Sequence, residues 1–265
     1  MSLEREQILA EMGIAPIWQR RASLEVARAS SLPERAPESA DPAPEAPPLD
    51  EAPQPFAQTA QETSLADSAV SVANLDWVPL RESIAACRAC PLCAGRKQTV
   101  PGVGDEAADW LFVGEGPGAE EDERGEPFVG QAGKLLDAML AALDLARGEN
   151  VYIANAVKCH PPANRTPEAQ EIAACAPFLA RQITLLKPRV IVLLGRSAAH
   201  AVLGESAASA TLASLRGKPL TYRQGEREIP VVVTYHPAYL LRTLPDKIKA
   251  WEDLCRARAL MRSLP

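Results

Sequence analysis

Four short apolar runs constrain this chain more than anything else in it: Trp110-Leu-Phe-Val-Gly114, Val151-Tyr-Ile-Ala-Asn155, Val190-Ile-Val-Leu-Leu194 and Ile229 to Thr234. Each is about the length of one strand and almost wholly apolar, the pattern of a strand buried on both faces. Helical spacing fills the gaps between them, over Gly133–Leu145, Pro167–Leu186, Ser197–Leu203 and, after the last run, Lys247–Met261. The second of these carries a proline in its first turn, where no amide donor is missed. Strands that alternate with helices predict an α/β domain: a three-layer α/β/α sandwich around a central, mainly parallel, four-stranded sheet. Ligands of such sheets gather beyond the carboxyl ends of the strands. Gly114-Glu-Gly-Pro-Gly118, Asn155 and His236 all fall at or just after predicted strand ends, which places them around one crevice.

The first quarter of the chain has a different texture. From Ser31 onward it is rich in Pro, Ala, Glu and Ser, with eight prolines between Pro33 and Pro55. Such a stretch buries too little apolar surface to offset its ordering entropy, so residues 31–74 read as a disordered linker. Residues 1–30 have helical character, with Ile8, Leu9 and Met12 on one face, and residues 75–265 form the globular domain. The formal net charge of −6 belongs to the arm: residues 1–75 hold 12 acidic and 5 basic side chains, leaving 22 and 23 for the rest. A neutral domain permits binding to a polyanion without demanding it. No run approaches the roughly 20 apolar residues of a membrane span. The N-terminus lacks a signal-peptide layout, so the expected setting is the bacterial cytosol and nucleoid.

Six cysteines in a reducing compartment point to metal ligands or small buried apolar groups rather than disulfides. Cys87-x2-Cys90 precedes the first strand, Cys159 follows the second, and Cys175 lies in the next helix. Two thiolates on a tight loop and two more converging on it can enclose a soft cation or a cluster. Spacing alone does not separate zinc from iron–sulfur. Cys93 extends the first pair to CxxCxxC but lacks the following Cys-Pro, and Cys255 reads as core.

With these motifs in hand, the stretch from Cys87 to about Trp251 resembles family 4 uracil-DNA glycosylases. The resemblance rests on Gly114-Glu-Gly-Pro-Gly-Ala-Glu-Glu-Asp122, Gly125-Glu-Pro-Phe-Val-Gly130, Val151-Tyr-Ile-Ala-Asn155, Lys158-Cys-His-Pro-Pro-Ala-Asn-Arg165 and His236-Pro-Ala-Tyr-Leu-Leu-Arg242, in that order, with Cys159-x15-Cys175. It implies the α/β/α fold, a [4Fe–4S] cluster on Cys87, Cys90, Cys159 and Cys175, and a monofunctional hydrolase that leaves free uracil and an abasic site. His160 stands where the family usually has Arg.

The chemistry asks for a particular set of groups. Uracil must leave the base stack at a cost of a few kcal/mol, and Phe128 is the expected stacking wall. Asn155 offers a donor and an acceptor for the O4 and N3–H edge of uracil, whereas cytosine reverses that pattern. Cleavage builds negative charge on the base, and His236 is the expected donor to O2. Glu115 is the expected carboxylate for the water or the cationic sugar, and Glu121 the one near the uracil edge, excluding the thymine methyl. Gly114 and Gly116 line the pocket. Leu240 or Leu241 is expected to fill the gap left by the flipped base. Arg165, Arg216, Lys218 and Arg242 are the expected phosphate contacts.

Residues 8–21 place Trp18 and several aliphatic groups ahead of the linker. This segment is similar to the N-terminal peptide of the psi subunit of the bacterial clamp loader and is expected to dock a replisome component, with the domain itself a monomer. Two other readings compete with the enzyme. One is a non-catalytic iron–sulfur nucleic-acid-binding module. The other is a relative that traps uracil-DNA covalently, for which His160 is the nearby candidate.

Overall fold

The computed structural model describes residues 72–264. The peptide expected at 1–30 and nearly all of the expected linker lie outside them. Val72 is buried in an apolar cluster with Leu80 and Ile84, so the folded unit begins at least three residues ahead of the compositional boundary at Leu75.

One mixed sheet holds β1 (Val103–Gly104), β2 (Trp110–Gly114), β3 (Val151–Asn155), β4 (Val190–Leu194), β5 (Leu220–Gln224) and β6 (Arg227–Thr234) in the order β1-β3-β2-β4-β6-β5. The four expected runs form its parallel centre, β3-β2-β4-β6. Two strands not expected from the sequence, β1 and β5, add antiparallel edges, so the sheet has six strands rather than four. Every residue of β2, β3 and β4 is buried, as a sheet covered on both faces requires.

The helices are α1 (Trp77–Ala86), α2 (Ala119–Arg124), α3 (Gln131–Ala141), α4 (Ala169–Leu186), α5 (Arg196–Leu203), α6 (Glu205–Ala208), α7 (Leu212–Leu215), α8 (Pro237–Arg242) and α9 (Lys247–Ser263). Alternation along β2 sorts them into layers. Trp110 and Phe112 pack with Leu136 and Met139 of α3 and Trp251 and Leu254 of α9. Leu111 and Val113 point the other way, to Leu179 and Ile183 of α4 and Ala198 of α5. Full burial of each such side chain stabilises the fold by about 1.5–3 kcal/mol. A third cluster, outside the sandwich, joins α1 and α4 around Cys159 and Cys175. Helix α3 stops four residues short of the expected Leu145, where the chain turns through Asp144 at φ 63°.

Candidate active site

Because the central strands run parallel, their C-terminal ends meet at one edge. Gly114 and Asn155 are register partners at the ends of β2 and β3, and Leu194 and Thr234 at the ends of β4 and β6. The Gly195 amide donates to the Thr234 carbonyl at 2.9 Å, which draws the start of α5 against the segment carrying His236.

Gly114 is the floor of the crevice. A Cβ built there would lie 2.4 Å from Asn155 Oδ1 and 2.5 Å from Phe128 Cζ, so the amide and the ring share space that only glycine leaves open. The Phe128 ring in turn stacks on His236, with centroids 5.5 Å apart and planes at 29°. Phe128 is buried at φ 56°, a left-handed backbone that costs a side chain of this kind about 1–2 kcal/mol. Three features hold it there. Arg147 donates to the carbonyls of Pro127 and Phe128, both at 2.8 Å. Gly133 makes room, since a Cβ on it would come within 1.8 Å of the Phe128 carbonyl oxygen. Glu121 accepts from the amides of Val129 and Gly130 at 2.9 and 3.1 Å through Oε1 and from Gly118 at 3.0 Å through Oε2. Arg147 was not legible in the sequence, because nothing local marks a residue that acts 19 positions away.

Asn155 is 2% exposed, and its Oδ1 has no hydrogen-bond partner. Among the described residues the same holds for one other buried side-chain atom, Thr234 Oγ1, at the end of the strand that leads to His236. An unpaired buried acceptor costs about 1–3 kcal/mol, so such atoms at a crevice point to a ligand that would satisfy them. His236 accepts from the Ala238 amide through Nδ1 at 3.2 Å, as the N-cap of α8. In the neutral ring that assigns the proton to Nε2. Burial first, and then the Arg242 charge, push the imidazole down to about 4, so near pH 7 it is a neutral N–H donor. Glu115 is half-buried and accepts a 2.6 Å hydrogen bond from the hydroxyl of Ser197, in the first turn of α5. Gly116 lets this loop pass Val157, whose Cγ2 would be 2.8 Å from a Cβ there. The Ala156 and Val157 amides pin the loop by donating to the Gly114 and Glu115 carbonyls. Ser197 was missed as well; its only signal is its place two residues after a strand-ending glycine.

The structure brings together Gly114, Glu115, Gly116, Phe128, Asn155 and His236, and corrects several other expectations. Glu121 accepts from backbone amides through both carboxylate oxygens, so its first role in the structure is to build the Phe128 loop. Leu240 is fully buried in the core and reaches no surface, whereas Leu241 beside it is 42% exposed. Arg216 is a strut: it donates to Asp253 at 2.6 Å and to the Lys249 carbonyl, and its guanidinium lies 4.6 Å from the centre of the Tyr235 ring. Arg165 is held by both oxygens of Glu171, at 2.8 and 2.6 Å. Lys218 and Arg242 stay exposed. His160 Nε2 lies 2.8 Å from Asn164 Oδ1.

Behind the crevice lies a second constellation. Cys87, Cys90, Cys159 and Cys175 line one tight pocket, with free space of only about 10 Å³, together with Cys93, Arg96 and Lys158. No three His, Cys, Asp or Glu side chains among the described residues draw to the spacing of a single ion, although five cysteines line this pocket. Burial raises the thiols of Cys90, Cys159 and Cys175, the last to about 12. A multivalent cation among such thiols is what makes thiolates of them. Arg96 donates to Cys159 Sγ at 2.9 Å and to the carbonyls of Ala85 and Cys87. Lys158 is fully buried and spans both constellations: it lines the cysteine pocket and donates to the Asn155 carbonyl at 2.8 Å and to Gln182 at 2.7 Å. Cys255, expected in the core, is exposed on α9.

A crevice that pairs a buried amide with an aromatic wall and a neutral imidazole, at the carboxyl edge of a parallel sheet, suits the reading of a flipped base. The chain belongs to the uracil DNA glycosylase superfamily, whose family model matches residues 101–255 and so takes in every residue of the crevice. Within that superfamily it is similar to type-4 uracil-DNA glycosylases. It is 43% identical to the one from Thermotoga maritima, over 68% of this chain and 92% of the relative. It is 44% identical to the one from Sulfurisphaera tokodaii, over 61% of this chain and 74% of the relative. A type-5 uracil-DNA glycosylase from Thermus thermophilus is more distant, at 35% identity over 46% of this chain and 69% of the relative.

Proposed function

We propose that this chain flips uracil out of DNA and hydrolyses its N-glycosidic bond, releasing free uracil and leaving an abasic site. The observation that carries this reading is the buried, unpaired Oδ1 of Asn155 beside Phe128. Uracil supplies what that atom lacks. Its N3–H donates to Oδ1, and its O4 accepts from the Asn155 amide nitrogen. Cytosine offers an acceptor at N3 and a donor at N4, which leaves both contacts unmade and costs far more than a missing methyl would. Phe128 covers the ring face. As the C1′–N1 bond lengthens, electrons move into the base and charge builds on O2, where His236 Nε2–H donates without giving up its proton. Glu115 orients a water and takes its proton as the oxygen bonds to C1′, with Ser197 fixing the carboxylate. Glu121 acts one step back, holding the loop of Phe128. Leu241 fills the vacated stack, and Lys218 and Arg242 meet phosphates.

Four thiols with an apolar surround fit a [4Fe–4S] cluster held by Cys87, Cys90, Cys159 and Cys175. When bound, such a cluster cross-links three chain segments and needs no redox turnover to do so. No described helix is long and apolar enough to cross a membrane, and the setting we propose is the cytosol, on DNA. The arm would recruit the enzyme to replication through residues 8–21; a pull-down with residues 1–30 that recovers no replisome component would remove that role.

The test of the activity is alkaline cleavage of a labelled single-stranded oligonucleotide with one uracil. The native chain is expected to cut at uracil, and a His236→Ala, Asn155→Ala variant is not. Tight DNA binding without cleavage by cluster-loaded protein would replace this reading with the binding module.

A further inference from the structure

The cysteine pocket holds one thiol more than a four-ligand cluster uses. Cys93 lines it together with the four expected ligands, although the resemblance that picks out those four gives it no part. Cys93 sits in the same 3₁₀ turn, Pro91–Ala94, that Cys90 caps, and its amide donates to the Cys90 carbonyl at 3.3 Å. One such turn brings residues three apart to the same side, so both sulfurs are carried toward the cavity by one small unit. The thiol of Cys93 also stands near enough to Cys159 and Arg96 to act on both electrostatically. No comparable spare exists beside Cys175, which is held inside α4 and is almost wholly buried.

We infer that Cys93 is a reserve ligand, able to take over the iron of Cys90 when the Cys90 sulfur is lost. This rests on the cluster reading above. The exchange is redox-neutral: one iron–sulfur bond at residue 90 is replaced by one at residue 93, and the proton of the Cys93 thiol passes to solvent. Only the turn Pro91–Ala94 has to move, because both residues hang from it. Serine at 90 keeps the cap of that turn, so the replacement tests the sulfur rather than the backbone.

The experiment measures iron per chain and the visible charge-transfer absorbance of full-length protein purified without oxygen. The native chain and Cys93→Ser are expected to match, and Cys90→Ser to keep most of its iron. Cys90→Ser with Cys93→Ser is expected to hold roughly tenfold less, and Cys175→Ser to fall equally far on its own. Peptide mapping after alkylation gives the second readout: Cys93 is modified in the native protein and protected in Cys90→Ser. A Cys90→Ser protein that is iron-free or insoluble, or in which Cys93 remains open to alkylation, overturns the reserve role while leaving the cluster in place. A native chain without iron overturns the cluster reading itself, and the reserve role with it.

Discussion

The base crevice and the cysteine cage share one short segment, Asn155 to Cys159, and are built on opposite terms. The crevice is held by the chain alone. Glycines at 114 and 133 admit the groups that meet there, and Glu121, Arg147 and the Ala238 amide fix the Phe128 loop and the His236 ring. The cage gathers sulfurs from a helix end, a turn, a loop and a helix interior, and each of the four is met by a single donor: the Ala89 amide for Cys87, the Leu92 backbone for Cys90, Arg96 for Cys159 and the Lys158 backbone for Cys175. A preorganised site spends nothing on reorganisation at the moment of reaction. A cage of this kind instead depends on its contents for its cross-links. On the reading proposed above, recognition and cohesion fall to different parts of one chain.

Variants that spare one region and damage the other sharpen this contrast. Asn155→Ala should lower kcat/KM on uracil by about 10⁴-fold while leaving iron content and thermal midpoint near native values. A loss of iron in that variant would break the separation. His236→Ala should cost about 10²–10³-fold in single-turnover rate, again with native iron. The same histidine predicts a pH effect on stability. Its folded value, about 4, lies below its ordinary 6.5, so between these the unfolded chain holds a proton that the folded chain does not. Stability is therefore full above about pH 6.5 and falls as pH drops toward 4, by about 3 kcal/mol in all. Denaturant midpoints of native protein and His236→Ala, compared at pH 7 and pH 5, check it; parallel curves would discount the buried neutral imidazole. Gly114→Ala places a methyl on Asn155 Oδ1 and the Phe128 ring, and should reduce cleavage by about 10²-fold without touching the cage. Smallest is Lys158→Met, about tenfold in both cleavage and iron retention, because this side chain touches both regions. An effect on one measurement only would show that the two regions are not joined through it.

Legibility in the sequence followed the range of the interactions. The central strands were readable because each is a continuous apolar run, and α4 because its spacing persists over five turns. The edges were not. β1 is two residues ending in glycine, and β5, Leu-Thr-Tyr-Arg-Gln, is half-exposed, so neither shows a buried pattern. Asn155, Phe128 and His236 could be named because each sits in a contiguous motif. The chemistry of their neighbours could not. Both Glu121 and Arg216 looked free in sequence, and what occupies them is a backbone amide or a carboxylate reached through the fold. The same holds for Leu240 and Leu241, adjacent residues of which one faces the core and one faces water.

The strand order has a consequence for how the enzyme comes into being. Asn155 belongs to β3, while His236 follows β6, which pairs with β4 on the far side of β2 and is covered by α9 near the C-terminus. A chain emerging from the ribosome can assemble β1 to β4 early, yet it lacks half its crevice until the last third has been made and docked. On the mechanism proposed above, a copy cut short before β6 would keep Asn155 and Phe128 and lack His236, so it would hold a base without the donor to release it.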